Sequence, residues 1–302
     1  MSDQRCWLRF PFGPNTDVAV SFQLLVLDVD GTVTDSQHQV TSAARETVRQ
    51  VQAAGIQVLL ATGRRYRDVL PIAAELGLEG PLVTASGGLV KQPSDHRTLF
   101  RAGFPANLLG EVVAAIVAAG HEPVVYTDSY DQGFDFHCRT LESLDVTGRP
   151  TGFGEYLNCN QQLARVDPNL HRSPPTDAFA GFAMGPRDSM DLLETRLAEA
   201  FPADLSLHTI RSPRYRDWLC EIAPAGVDKW SSVLQLASDW KIPPEAICAV
   251  GDDRNDLPMI EGAGLGVAMG NARPEVRRVA DRVVAGHEDG GLLEVARFLI
   301  AG

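Results

Sequence analysis

The chain alternates short, almost wholly apolar runs with longer stretches in which apolar positions recur at helical spacing. The first run, Phe22-Gln23-Leu24-Leu25-Val26-Leu27, is rich in β-formers and ends in Asp28-Val29-Asp30-Gly31-Thr32. A run of that length followed by turn residues predicts a strand buried on both faces of a parallel sheet. Residues 41–54 carry helical periodicity after a Thr-Ser start and stop at Gly55. A second apolar run, 56–61, ends in Thr62-Gly63-Arg64, and 67–76 predicts a helix stopped by Gly77. Residues 81–84 predict a third strand, closed by Ser86-Gly87-Gly88. Alternation of strand and helix with short loops argues for an open parallel α/β sheet.

Beyond Gly88 the texture changes. Short strand candidates at 98–100, 123–127, 178–184 and 206–210 alternate with helices at 106–119 and 189–200. Residues 147–175 are rich in Gly, Pro and Asn and support no assignment. This stretch predicts an inserted α+β domain. From Trp218 the first pattern returns, with strands at 218–222, 246–250 and 265–268 and helices at 229–240, 255–261 and 291–300. The expected organisation is an extension (1–21), a Rossmann-like α/β core with a parallel sheet (22–88 and 212–302) and an insert (89–211).

The segments richest in chemistry all follow core strands, where open α/β sheets hold their ligands. Asp28 and Asp30 stand two apart at a strand end, so their side chains can point the same way. Two carboxylates held together repel unless a cation or proton intervenes, and Mg²⁺ is commonly held by one or two carboxylates plus a substrate phosphate. The same residues also fit a solvated turn with an Asx cap. Thr62-Gly63-Arg64 offers a hydroxyl and free amides that suit an anion, or simply a Thr N-cap. Gly251-Asp252-Asp253-Arg254-Asn255-Asp256 crowds three acids and an Asn before a helix. With Asp28 and Asp30 this makes a carboxylate cluster split across the sequence and assembled by the sheet.

Composition narrows the partners. A net charge of −12 and a pI near 5.0 argue against a nucleic-acid surface, which needs a basic face. An acidic protein that handles phosphate esters needs a local positive centre instead. Cys6, Cys138, Cys159, Cys220 and Cys248 are scattered without a CxxC pair, which fits a reducing compartment. No stretch reads as a signal peptide or a membrane span, and the longest apolar segments, such as 112–119, are far too short to cross a bilayer. A cytoplasmic protein without membrane partners is expected.

Taken in order, Asp28-Val29-Asp30-Gly31-Thr32, Thr62-Gly63-Arg64, Lys229 and Gly251-Asp252-Asp253-Arg254-Asn255-Asp256 resemble the four motifs of the haloacid dehalogenase-like hydrolase superfamily. The large insert and the tail Met269-Gly270-Asn271-Ala272 look like its Cof-type subfamily with a type-C2 cap. The resemblance runs from Phe22 onward. It implies a Mg²⁺-dependent phosphatase of small phosphorylated metabolites, sugar phosphates or similar, working as a monomer or homodimer. By position, Asp28 matches the nucleophile and Asp30 the acid/base. Thr62 and Gly63, Lys229 and Asn255 match phosphate-binding groups. Asp28, the Asp30 carbonyl, Asp252 and Asp256 match the metal site, with Asn255 and Asp256 supporting it. Ser86-Gly87-Gly88 departs from the usual Asn-Gly-Ala, and Trp230 stands where a small residue is usual. Asp253 has no matching role and reads as a solvated loop position.

In this family the cap selects the substrate. Tyr126, Asp128, Tyr130, His137 and Arg214 are therefore candidates for contacting the leaving group, with cap-sheet core as the alternative for Tyr126. The loop at His287 reads as structural. Rival readings are a phosphomutase, a phosphatase for mannosyl-3-phosphoglycerate or sucrose phosphate, and a catalytically silent binding module.

Overall fold

A computed structural model describes residues 22–105, 107–142, 151–212 and 214–301. The extension expected at 1–21 lies outside the described residues, as do 143–150. The chain begins with β1 (Leu24–Leu27), α1 (Ser42–Ala53), β2 (Gln57–Ala61), α2 (Tyr66–Glu75) and β3 (Leu82–Thr84). β4 (Leu89–Lys91) and β5 (Thr98–Arg101) follow as antiparallel additions at the sheet's edge. Next come α3 (Leu108–Ala118), β6 (Pro123–Thr127), β7 (Phe136–Cys138), α4 (Gly152–Asn160) and β8 (Ala164–Val166). β9 (Ala178–Gly185), α5 (Arg187–Ala200), β10 (Leu205–Arg211) and β11 (Trp218–Pro224) complete the middle of the chain. The remainder is α6 (Lys229–Asp239), β12 (Ile247–Gly251), α7 (Leu257–Gly262), β13 (Leu265–Ala268), α8 (Pro274–Val279), β14 (Arg282–Val283) and α9 (Gly291–Ala301).

Hydrogen bonding sorts the strands into two sheets, in the orders β14-β13-β12-β1-β2-β3-β4-β5 and β10-β11-β9-β6-β7-β8. In the first, β1 is central and runs parallel to both β12 and β2. All four of its residues are fully buried, because each face is covered. Leu25 and Leu27 pack with α1, α2 and α9 residues such as Val48, Val69 and Val295. Leu24 and Val26 pack on the other side with Val233, Met259 and Val276 of α6, α7 and α8. The second sheet is antiparallel except for β7 against β8. α3 and α5 cover one of its faces, and α4 packs on the other through Phe153, Tyr156 and Leu157.

Two strands change sheet relative to the sequence expectation. β11, read as a core strand, pairs antiparallel with β9 and β10. β5, read as part of the insert, closes the first sheet. An apolar heptapeptide such as Trp218–Pro224 satisfies the interior of either sheet, and its hydrophobicity does not name its partner. Strand pairing thus runs past residue 88 on one side and past 212 on the other.

β1 is also where the strand order reverses. The chain proceeds through β2 and β3 on one side and returns through β12 and β13 on the other. Such a switch point opens a crevice at the carboxyl ends of the strands. The segments after β1, β2, β3 and β12 converge there.

Candidate active site

Asp28 directly follows β1; its amide donates to Val250 O at 3.0 Å and it is 4% exposed. Its Oδ1 accepts from Lys229 Nζ at 2.6 Å, and the same ammonium donates to Asp256 Oδ1 at 2.6 Å. Lys229 is the first residue of α6, whose Asp228 N-cap accepts from Ser231 N and fixes the helix start. Burial would lower the Lys229 pKa, but Asp256 and Asp28 outweigh it and hold the ammonium charged. Asp256 Oδ2 accepts from the amides of Asp252 and Asp253, which ties the loop after β12 to the same group.

Asp28, Asp252 and Asp256 offer carboxylate oxygens within 4.8 Å of one another. Burial pushes the Asp28 carboxyl upward against the pull of Lys229, and burial followed by repulsion from Asp28 does the same to Asp252. Three carboxylates facing one ammonium leave a site that favours a divalent cation, and hard oxygen donors suit Mg²⁺. Asp252 is further placed by Thr32 Oγ1 at 3.4 Å and Asn271 Nδ2 at 3.3 Å. The intervening turn needs glycine: Gly31 has φ +77°, and a Cβ there would stand 2.4 Å from Asp252 Oδ2.

Asp30 is not in this side-chain cluster. Arg64 clamps its carboxylate in a fork, with Nε to Oδ2 at 2.8 Å and Nη2 to Oδ1 at 2.6 Å, and His38 Nδ1 lies 3.4 Å from Oδ1. Burial alone would raise this carboxyl, but the Arg64 and His38 bonds prevail and hold it well below the usual carboxylate range. Neither Arg64 nor His38 is prominent in the sequence, although Arg64 is the third residue of Thr62-Gly63-Arg64.

Thr62 is fully buried, and its Oγ1 accepts from Arg64 N at 3.1 Å. Asn255 Nδ2 would lie 3.5 Å from a Cβ on Gly63, so the loops after β2 and β12 meet here. Glu221 of β11 enters the same cleft from the second sheet, and the sequence reading missed it. Its Oε2 accepts from Ser86 Oγ at 2.8 Å. Although the residue is only partly buried, its carboxyl is enclosed, and that burial raises it from 4.5 to about 7. The neutral form is favoured in the fold. Wild-type stability should therefore fall relative to Glu221→Gln as pH rises from about 4.5 to about 7, and stay level above that window. Urea titrations of the two proteins across this range would show it.

The cleft that opens above Asp28 has a volume of about 480 Å³ and carries Tyr126, Tyr156, Phe182 and Tyr215 on its second-sheet side. Of the expected specificity residues, Tyr126 and Arg214 line it. Tyr126 also packs with Phe179 and Phe182, so it serves cleft and core together. Arg214 Nη1 lies 3.5 Å from Asp68 Oδ1. Asp128, Tyr130 and His137 do not reach the cleft. The β6–β9 register shifts after Tyr126, where Phe179 of β9 is left unpaired, and Asp128 lies just past the end of β6, so strand alternation no longer sets its direction. Asp128 instead neutralises the buried Lys91 at 2.7 Å. Tyr130 stacks edge-on to Tyr66 under the Arg67 guanidinium. His137 pairs with Val125 on the opposite face of the sheet and packs on Phe134.

Three smaller questions also resolve. Asp253 caps the turn at Arg254–Asp256 and pairs with Arg273. Trp230 packs over Gly262 with the apolar residues between α6 and α7, away from the cleft. His287, read as structural, borders the cleft beside Asn271, whose Oδ1 accepts its amide at 3.0 Å.

Known proteins share this fold. Residues 25–296 match the haloacid dehalogenase-like hydrolase family. The phosphatase YwpJ of Bacillus subtilis (strain 168) is 27% identical over 300 residues, covering 92% of this chain and all of the relative. The 5-amino-6-(5-phospho-D-ribitylamino)uracil phosphatase YitU of the same organism is 25% identical, covering 91% of this chain and 96% of that one. A crystal structure of a haloacid dehalogenase-like hydrolase from Bacteroides thetaiotaomicron superposes with a TM-score of 0.74 at 25% identity, over 92% of this chain and 99% of that one. The chain belongs to the haloacid dehalogenase-like hydrolases, in their Cof-type branch, and is a phosphatase by class.

Proposed function

We propose that this protein is a Mg²⁺-dependent phosphatase that hydrolyses small phosphorylated metabolites, sugar phosphates or similar, through an aspartyl-phosphate on Asp28. One observation carries the reading. At the switch point of the first sheet, the buried Asp28 carboxylate has one oxygen fixed by Lys229 and the other without a hydrogen-bond donor among the described residues. A carboxylate held in this way is aligned as a nucleophile, and the ammonium beside it can neutralise the oxygens of a phosphoryl group.

In the proposed cycle, a free oxygen of Asp28 bonds to phosphorus while the ester P–O bond breaks. Asp30 gives its proton to the departing alkoxide. A water then attacks phosphorus, Asp30 takes back a proton, and Asp28 is regenerated as inorganic phosphate leaves. Thr62, the Gly63 amide and Asn255 hydrogen-bond the phosphoryl oxygens. In the state described, Arg64 keeps Asp30 ionised, the form that activates water. Protonating the leaving group requires Asp30 to break free of Arg64. Asp28 and Asp252, with the Asp30 carbonyl, would hold Mg²⁺, whose charge when bound neutralises substrate phosphate in an otherwise acidic cleft. Both oxygens of Asp256 are already engaged, so we assign it to holding Lys229 and the loop after β12.

The substrate is a small molecule, as the cleft volume suits, and four free cysteines among the described residues are consistent with a cytoplasmic setting. Phosphate release from a metabolite panel should vanish in EDTA and return with Mg²⁺. Asp252→Asn should raise the Mg²⁺ needed by at least about tenfold, and Mg²⁺ should lift the melting temperature of the wild type more than that of the variant. Undiminished release in EDTA would defeat the metal reading.

A further inference from the structure

Glu221 is a side chain of the second sheet that reaches the loops of the first. Along β11, Cys220 and Ile222 pack toward α3 and α5, so alternation turns Glu221 to the opposite face, toward the cleft. Its Oε2 is held by Ser86 Oγ at 2.8 Å, and Ser86 stands in the turn after β3 with φ +53°. Its Oε1 has no hydrogen-bond donor among the described residues. A Cβ on Gly63 would lie 3.3 Å from that oxygen and 3.5 Å from Asn255 Nδ2, so Oε1 stands beside the groups assigned to phosphate. Glu221 lines the main cleft with Asp28 and also the smaller cavity behind it.

A carboxyl oxygen in that place is a liability for a phosphatase. It repels the phosphoryl group, and a substrate that fills the cleft without offering a donor strips this oxygen of water and leaves it unpaired. Both costs fall when a donor enters with the substrate. A phosphoryl dianion has no proton to donate, and the ammonium of Lys229 is already shared by Asp28 and Asp256. The donor must come from the leaving group, close to the ester oxygen. We propose that Glu221 is a specificity-determining residue whose Oε1 accepts a hydrogen bond from a hydroxyl carried by the leaving group near the phosphoryl group. Phosphate esters of polyols and sugars satisfy it, and simple alkyl or aryl phosphates do not. The inference rests on the phosphatase reading of the same cleft.

Competition against p-nitrophenyl phosphate hydrolysis in Mg²⁺ tests it. The competitors are glycerol 3-phosphate and n-propyl phosphate, which share a carbon skeleton and differ in their hydroxyls. Measured above about pH 7, where the Glu221 carboxyl is ionised, wild-type inhibition constants should favour glycerol 3-phosphate by about 10- to 100-fold, the usual value of a hydrogen bond to a charged partner. Glu221→Ala should collapse that preference to about twofold or less, a change that a general structural role would not produce. Glu221→Gln keeps the side-chain volume and one carbonyl acceptor and should fall between, which guards against misfolding of the alanine variant. A wild-type preference near one, or a preference unchanged in both variants, overturns the assignment while p-nitrophenyl phosphate turnover leaves the phosphatase reading standing. Absence of any turnover by the wild type overturns both.

Discussion

Asp28→Asn should fold like the wild type and lose about 10⁴-fold or more in phosphate release, because no other group stands where the nucleophile does. The structural cost is small. Asn keeps a carbonyl oxygen for Lys229 Nζ, now 2.6 Å from Oδ1, and removes a charge that burial already disfavours. It also relieves repulsion of Asp252. The melting temperature should therefore match or exceed that of the wild type while turnover disappears. A folded Asp28→Asn protein with wild-type turnover would refute the nucleophile assignment.

Lys229→Ala should fail in a different way. Lys229 is 1% exposed, and its ammonium is the shared partner of Asp28 and Asp256. Removing one member of a buried ionic group costs about 3–5 kcal/mol, since it strands the charges left behind. The truncated stem adds an unfilled cavity. Asp256 also anchors the amides of Asp252 and Asp253, so the damage spreads to the loop that carries Asp252. The urea midpoint should drop sharply together with activity. By contrast, the partly exposed Asp253–Arg273 pair should yield no more than about 1 kcal/mol on removal. An unchanged midpoint in Lys229→Ala would show that the buried triad is not what binds α6 to the strand ends.

Much of this site is legible in the residues, and the reasons are physical. Leu24–Leu27 is apolar without alternation because helices cover both its faces, and the acids that follow stand out against it. Asp28 and Asp256 are far apart in the chain, and the parallel pairing of β1 with β12 brings their loops together. That pairing follows from the alternating pattern, so the cluster could be expected. Glu221 could not, because Trp218–Pro224 looks like any buried strand and its sheet depends on long-range pairing. A single carboxylate within that apolar run was the available signal. Asp128 and His137 differ from expectation for a matching reason: the end of β6 at Thr127 and the two-residue alternation of β7 decide which face each side chain meets. Lys91 supplies the remaining lesson, as a buried ammonium that claims Asp128 before any ligand can.

The central claim is covalent catalysis at Asp28, and acid-quenched single turnovers with ³²P-labelled substrate test it most directly. The account predicts transient label on the peptide that contains Asp28, formed before phosphate is released and absent from Asp28→Asn. Rapid phosphate release with no labelled protein, or label on a different residue, would contradict it.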